Sequence, residues 1–383
     1  MDNYNLMNNL EVRQVKTRKD LKKFVCFPFK LYKGNAFWVP PLKFDEINTL
    51  RKDKNPAFEY CEAEYWIAYR DGVAVGRIAG IINPVEVKRW NTLLVRFGWI
   101  DFIDDPEVSR ALIETVMEWG KSKGMTGIHG PLGFNDMDAE GMLIEGYDEI
   151  SSLSAIYNYP YYRDHMEKLG FSKATDFVQF EVRVPENIPE KIERLSRIVL
   201  AKYNLRLLKP QKAKDIRPYA GKMFTMYNDA FRDLYGFAAL SQQQMDYYTK
   251  MYFSFIRPEF ISLVLDEKDD IVGFGITMPS LALALQKARG SLLPFGFIHL
   301  LKAIRKNDII HMYLIGVRPD YQGKGVLALV FHELTRAYID NGIKLTRTHP
   351  QLEENFRAVS IWKNYESRMH IRRRIWKLDF LSE

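Results

Sequence analysis

Residues 309–340 leave this chain the least freedom. The β-branched and aromatic run Ile309–Val317 reads as a strand, and Pro319 and Asp320 end it. Gly323-Lys324-Gly325 then feeds a helix whose apolar positions Leu327, Leu329, Val330, Leu334 and Ala337 follow helical spacing. A strand delivered through a glycine turn onto a helix N-terminus is an anion site in outline. Glycine lets backbone approach a ligand closely, and the first helical turn carries N–H groups with no partner inside the helix. A pyrophosphate fits that geometry. A short glycine turn equally serves any chain that needs a positive φ, so its surroundings must decide.

Read in order, the chain repeats itself. Residues 11–15 form a strand, followed by a basic helix from Thr17 and by Phe37-Trp38-Val39-Pro40-Pro41, which cannot be helical and reads as a packed loop. Residues 65–80 alternate about Asp71-Gly72, a strong hairpin signal. Residues 97–102 give the next strand, Asp105-Pro106 opens a helix to about Lys123, and residues 126–129 form another strand. The same order returns from residue 263: a hairpin ending in Val272-Gly273, the strand 311–317, the helix from Gly325 and a strand over 343–348. A tandem duplication of one α/β unit follows. At 383 residues the chain has material for two or three domains, divided here into 1–183, a linker and helix over 184–203, and 204–383.

The halves differ at the turn. Ile103-Asp104-Asp105-Pro106-Glu107 puts carboxylates and a proline where the second half has Tyr321-Gln322-Gly323-Lys324-Gly325. Carboxylates repel phosphate, so the first half reads as a degenerate copy that supports the fold or shapes an acceptor site.

Residues 317–327, Val-Arg-Pro-Asp-Tyr-Gln-Gly-Lys-Gly-Val-Leu, resemble the acyl-CoA loop of the GNAT N-acyltransferase superfamily, where a strand ending in Val-x-Pro precedes Gln/Arg-x-x-Gly-x-Gly/Ala. Gln322 and Gly325 match; Leu327 stands where the family has Gly or Ala. Glu167-Lys168-Leu169-Gly170-Phe171 is similar to the ending of the superfamily's last helix, so the resemblance spans residues 10–183 and 204–380, with the cofactor loop in the second half only. It implies an α/β fold of tandem GNAT-like domains, each a mixed, mostly antiparallel twisted sheet flanked by helices. It also implies transfer of an acetyl or longer acyl group from acyl-CoA to an amine by direct attack in a ternary complex. By the same resemblance, backbone at Ile315, Gly316 and Val317 holds the pantetheine arm, Gln322, Gly323, Lys324, Gly325 and Val326 face the pyrophosphate, and Asn355 in Asn355-Phe356-Arg357-Ala358 touches CoA. The family's leaving-group acid is a tyrosine seven residues beyond that asparagine. Trp362 stands there, and Tyr365, nearly one turn later on almost the same helix face, is the candidate acid. His349 and His311 are candidate bases because imidazole titrates near neutrality; a structural role for each, or a water chain as base, is the alternative.

Residues 279–306 interrupt the second half with apolar residues flanked by Lys287, Arg289, Lys302, Arg305 and Lys306, and read as two short amphipathic helices. These pack as a helical hairpin between the halves, cover a long acyl chain, or rest on an anionic membrane through residues 281–304. The length, paired halves and apolar insertion are similar to bacterial acyltransferases of sphingolipid or ceramide-type amide formation, which would make the acceptor a lipid amine. The rivals are a non-catalytic acyl-CoA binding or scaffold protein, suggested by Leu327 and Trp362, and a tRNA-dependent aminoacyl transferase, which would need a nucleic-acid groove.

Composition bounds the rest. With 47% hydrophobic and 27% charged residues the chain is globular rather than disordered, and a formal charge of +7 permits nucleotide, acidic lipid or nucleic acid without choosing. Cys26 and Cys61 lack partners at metal-ligand spacing, and His332-Glu333-Leu334-Thr335-Arg336 lacks the second histidine of the zinc motif, so no disulfide framework and no metal is expected. Arg372-Arg373-Arg374, alternating beside Ile375, Trp376 and Leu378, reads as a solvated strand face, and no nucleic-acid partner is expected. Residues 1–5 are polar and no apolar run reaches the roughly 18 residues of a membrane span. The expectation is a bacterial cytoplasmic enzyme, at most peripheral to the inner membrane face. Neither the acceptor nor the oligomeric state is encoded in a readable way.

Overall fold

Each alternating stretch forms a strand in a computed structural model that describes residues 9–153, 155–252 and 256–380; the polar residues 1–5 lie outside these. The first seven strands are β1 (Leu10–Gln14), β2 (Glu62–Arg70), β3 (Val73–Ile82), β4 (Leu94–Phe102), β5 (Gly127–Gly130), β6 (Met142–Glu145) and β7 (Ser172–Arg183). Then follow β8 (Arg206–Leu208), β9 (Ile261–Leu265), β10 (Ile271–Pro279), β11 (Ile309–Val317), β12 (Leu345–Arg347), β13 (Gln351–Leu352) and β14 (Ser367–Asp379). The chain divides into two compact units: Met1–Asp176, Ala288–Pro294 and Arg372–Glu383 in one, Phe177–Lys287 and Phe295–Ile371 in the other.

The first unit has the strand order β1-β2-β3-β4-β5-β14, with β6 also on β14. Its pairs are antiparallel except β4 with β5. A parallel pair needs a crossover, and the helix Pro106–Ser122 supplies it. Asp105 starts that helix by accepting a hydrogen bond from the Glu107 N–H, and Pro106 fits the first position because its missing N–H is not needed there. Val108, Leu112 and Val116 then bury against Ile78, Phe97 and Ile128. Arg96 and Glu86 form a buried ion pair at 2.6 Å in the same unit.

In the second unit the order is β7-β12-β11-β10-β9-β8, again antiparallel except β11 with β12. Here the crossover helix is Val326–Asp340, whose Leu329, Val330 and Leu334 bury with Val264, Val272 and Ile310. The two units share one irregularity. β3 and β4 slip register between Arg77 and Ala79, and β10 and β11 slip between Ile276 and Thr277, with the extra residue on the later strand each time. In each unit the parallel pairing then runs for three residues only, 94–96 with 127–129 and 309–311 with 345–347.

The final strands complete the sheets in an order the sequence did not suggest. Residues 372–379 of β14 pair with β5 and β6 in the first unit, and residues 177–183 of β7 pair with β12 and β13 in the second. The arginine triplet is therefore no solvated face. Arg373 is buried and donates to the Ile156 carbonyl, while Arg372 and Arg374 bind Asp176, because β6 covers this stretch of strand. The strand expected over 343–348 shrinks to Leu345–Arg347. Trp38 packs edge-on against Phe29, as a packed loop residue would. The insertion forms the helices Ala282–Ala288 and Gly296–Arg305. Among the described residues no helix is long and apolar enough to cross a membrane.

Candidate functional site

β11 parts from β12 after His311, since β12 has only three residues, and the bulge at Tyr313 turns the strand away. Among the described residues no strand pairs with residues 312–317 on the side opposite β10, so that edge presents its N–H and C=O groups to whatever lies there. The end of the strand is fixed. Arg318 donates through its backbone N–H to Val272, and through its guanidinium to Asp266 and Asp320 at 3.1 and 2.7 Å.

The two glycines of the turn do different work. Gly323 has φ +76° and a Cβ placed on it would meet nothing within 4 Å, so its freedom serves the turn and leaves open space in front of the backbone. Gly325 has φ +83°, and a Cβ there would lie 2.9 Å from Val199 of the helix Glu190–Lys202. That glycine is demanded by packing as well as by the turn. Behind it, among the described residues no side chain caps the helix Val326–Asp340, and of its first-turn N–H groups that of Ala328 reaches the Gly325 carbonyl, so the opening of the helix has donors without a side-chain acceptor. The Lys324 ammonium lies 4.9 Å from the centre of the Tyr321 ring and 5.5 Å from that of Tyr203, which holds a cation beside the turn. Gln322 donates to the Val317 carbonyl at 3.3 Å. Leu327 packs against the hydrophobic core, so its bulk is directed away from the turn.

The first unit shows the same splay filled by its own residues. Phe102, opposite Gly76, holds the register place that Val317 holds opposite Gly273. The Phe102 N–H donates to the Tyr162 hydroxyl at 2.9 Å, and the Tyr161 hydroxyl donates to the Phe102 carbonyl at 2.6 Å. Asp105 and Pro106 occupy the helix N-terminus. Sequence reasoning found the carboxylate and missed the tyrosines, whose signal was the aromatic run Tyr157 to Tyr162.

At the other end of the open strand edge, His311 is 4% exposed and neither ring nitrogen has a hydrogen-bond partner among the described residues. Burial, with the charges of Arg347, His370 and His349, pushes its pKa down to about 3. The imidazole is neutral at physiological pH and resists protonation. His349 follows β12 and is half-buried. His370 on β14, which sequence reading passed over, has a ring nitrogen within 4.8 Å of a Glu181 carboxylate oxygen, and Glu181 is in turn held by Arg347 and Arg368. The Tyr313 hydroxyl is buried without a hydrogen-bond partner among the described residues, and burial raises its pKa.

Tyr365 does not continue the helix face of Trp362. The helix Phe356–Val359 gives way to a 3-10 turn, Ser360–Asn364, and Tyr365 is already extended. It packs beside Phe331 and Trp362, and burial pushes its phenol up to about 12, so it remains a proton donor at neutral pH. Asn355 caps the short helix by accepting from the Ala358 N–H. Residues 315–317 and 322–326 thus adjoin; neither Asn355 nor Tyr365 is bonded to that turn among the described residues.

A pH signature follows from His311. Its pKa is about 3 when folded against an ordinary value of 6.5, so below pH 6.5 the unfolded chain takes up a proton that the folded one refuses. The stability is full above pH 6.5 and declines as pH falls toward 3, by about 2 kcal/mol at pH 5. In His311→Phe, urea midpoints compared at pH 7 and pH 5 are expected to lose that share of the decline. An unchanged decline would show that the imidazole titrates normally.

No protein-family model matches the chain. It is 29% identical over 331 residues to Protein YghO of Escherichia coli (strain K12), covering 85% of this chain and 84% of that protein. It is 27% identical over 323 residues to the Bacterial ceramide synthase of Caulobacter vibrioides (strain NA1000 / CB15N), covering 82% of each. Two solved structures superpose on most of it. One is a tandem GNAT protein from the clavulanic acid biosynthesis pathway, with a TM-score of 0.55 at 10% identity over 98% of this chain and 100% of that one. The other is a GCN5-related glucosamine N-acetyltransferase region within a fungal multi-domain GH3 β-N-acetylglucosaminidase, with a TM-score of 0.58 at 10% identity over 97% of this chain and 38% of that one. This is the GNAT fold. Within it, the Gly323–Gly325 turn lies in residues 317–327, and the open edge of β11 ends where that stretch begins.

Proposed function

We propose that the protein is an acyl-CoA-dependent N-acyltransferase built from two GNAT-like domains in tandem, with the cofactor held by the second. The observation that carries this reading is the contrast between the two splayed strands. Tyr161, Tyr162 and Asp105 satisfy the first, whereas the second, among the described residues, has no strand on its edge and only Gln322 on the Val317 carbonyl, with an uncapped helix and a lysine beside a glycine turn. That contrast between a closed copy and an open one supports the open one as the place for a ligand. Ile315 and Val317, whose N–H and C=O groups face the open edge, would bond the pantetheine amides with Gly316 paired to β10 between them, and Gln322, Gly323, Lys324, Gly325 and Val326 would receive the pyrophosphate. In the transfer an amine N–C bond forms, the thioester C–S bond breaks, the amine loses a proton and the sulfur gains one. His349 suits the base better than His311, whose conjugate acid is too strong, and Tyr365 supplies a protonated phenol as acid. Asn355 is left as a support for the last helix.

The acceptor reading we favour is a lipid amine with a long acyl chain. The relative named Bacterial ceramide synthase and the apolar insertion at 279–306 both support it. The test is thermal stability with CoA, acetyl-CoA and palmitoyl-CoA, the last kept below its micellar concentration. At 100 times its dissociation constant a ligand stabilises the native state by about 2.7 kcal/mol. Palmitoyl-CoA is expected to act at lower concentration than acetyl-CoA, and long-chain amines to turn over where small ones do not. Stabilisation without turnover of any amine would favour an acyl-CoA binding protein, and no stabilisation by any CoA would remove the reading.

A further inference from the structure

The helix Gly296–Arg305 has one face that its fold does not use. Gly296 and Leu300 are buried, while Phe297 at 42%, Ile298 at 36% and Leu301 at 47% remain exposed. Immediately before it in the chain, Phe295 is 68% exposed. Of the fifteen large apolar side chains exposed among the described residues, five, Leu283, Phe295, Phe297, Ile298 and Leu301, come from the insertion within this unit, so apolar exposure is concentrated here rather than scattered.

The exposed face is graded along its length. Phe297, Leu301 and Arg305 are spaced four apart and stack on one line, with Ile298 and Lys302 beside them, so the face begins apolar and ends cationic. Lys306 follows directly. From residue 279 to residue 307 there are five Lys or Arg and no Asp or Glu. Apolar side chains at one end and long basic ones a turn or two away match the layering of a bilayer, where hydrocarbon lies about 5–10 Å beneath anionic headgroups.

We propose that this face docks the protein on an anionic lipid bilayer, with Phe295 and Phe297 and the residues beside them entering the acyl region and Lys302, Arg305 and Lys306 lying among the headgroups. A second copy of the chain is the poorer occupant. A two-fold contact through this face would set its unbalanced positive charge against an identical one. The inference stands apart from acyl transfer, since it needs no cofactor and no acceptor.

The test is co-sedimentation of the full-length protein with phosphatidylcholine vesicles, with and without phosphatidylglycerol, at low and high salt. Binding only to the anionic vesicles, weakened by salt, is the expected result. Replacing Lys302, Arg305 and Lys306 together by Gln is expected to weaken it on the order of 100-fold, from the contribution of each basic residue near an anionic surface. Phe297→Ser with Leu301→Ser is expected to weaken it at least about ten-fold. All five side chains are exposed, and melting curves check that the variants fold. Phe297→Trp provides a reading that depends on no loss of binding: its fluorescence should be quenched by brominated acyl chains. No vesicle binding, equal binding to neutral vesicles, or no added quenching would overturn the proposal. So would a dimer that the Phe297→Ser, Leu301→Ser variant dissociates while vesicles have no effect, which would assign the face to a second copy.

Discussion

Gly323→Asp is expected to remove most of the stabilisation by CoA while leaving the ligand-free protein close to its original melting temperature. The position allows this separation because a side chain there would enter open space. Its φ of +76° costs an Asp up to about 1 kcal/mol, and Asp tolerates that region better than most residues. The new carboxylate would face a pyrophosphate. At about 5 Å and an effective dielectric near 20, repulsion between two unit charges is roughly 3 kcal/mol, enough to weaken binding by about 100-fold or more. At a concentration that gave about 2.7 kcal/mol of stabilisation, a 100-fold weaker ligand gives about 0.4 kcal/mol. The first unit already carries a carboxylate at the matching helix N-terminus, Asp105. Gly325 is the poorer choice for this experiment, because any side chain there meets Val199 and would disturb the fold and the turn together. Full CoA stabilisation of a folded Gly323→Asp protein would place the cofactor elsewhere.

Arg96→Met should destabilise the first unit by about 3–5 kcal/mol, the cost of stranding a buried charge. Arg96 is 1% and Glu86 4% exposed, and the guanidinium also donates to the Gly133 carbonyl at 2.9 Å. Burial alone would raise the Glu86 carboxyl; Arg96 and His129 outweigh it and hold the pKa to about 2. In the wild type this contribution is fully present above about pH 4.5 and is lost as pH falls toward 2. Without Arg96, burial dominates and the sign reverses, so the variant's deficit should narrow as pH falls from 7 to 5. Urea midpoints at the two pH values measure both effects. Adding Glu86→Gln to Arg96→Met should recover part of the loss, since Glu86 then has no charge to strand, while the partly buried Asp136, Asp138 and Glu140, raised by burial and partly held down by Arg96, keep the remainder. A deficit under about 1 kcal/mol in the single variant would mean that water reaches the pair.

The order of elements was written locally, and so it was legible. Asp71-Gly72 made its hairpin with φ values of 50° and 77°, Asp105-Pro106 started its helix, and the glycine turn before Val326 started the other. Each of these depends on residues within a few positions of one another, which is the range that propensity, capping and turn chemistry cover. What the tertiary structure decided was long-range. That β14 completes the sheet of the first unit follows from pairing between residues about 230 to 250 positions apart, and with β6 alongside the expected solvated face became a buried Arg373 flanked by Arg372 and Arg374 paired to Asp176. The site divides the same way. The glycine turn could be read from the sequence, but that one strand edge is open while its counterpart is closed by Tyr161 and Tyr162 could not, because those hydroxyls reach Phe102 from about 60 residues away. His311 shows the reason most plainly. A sequence gives an imidazole its ordinary pKa near 6.5, and only burial among Arg347, His349 and His370 takes it down to about 3.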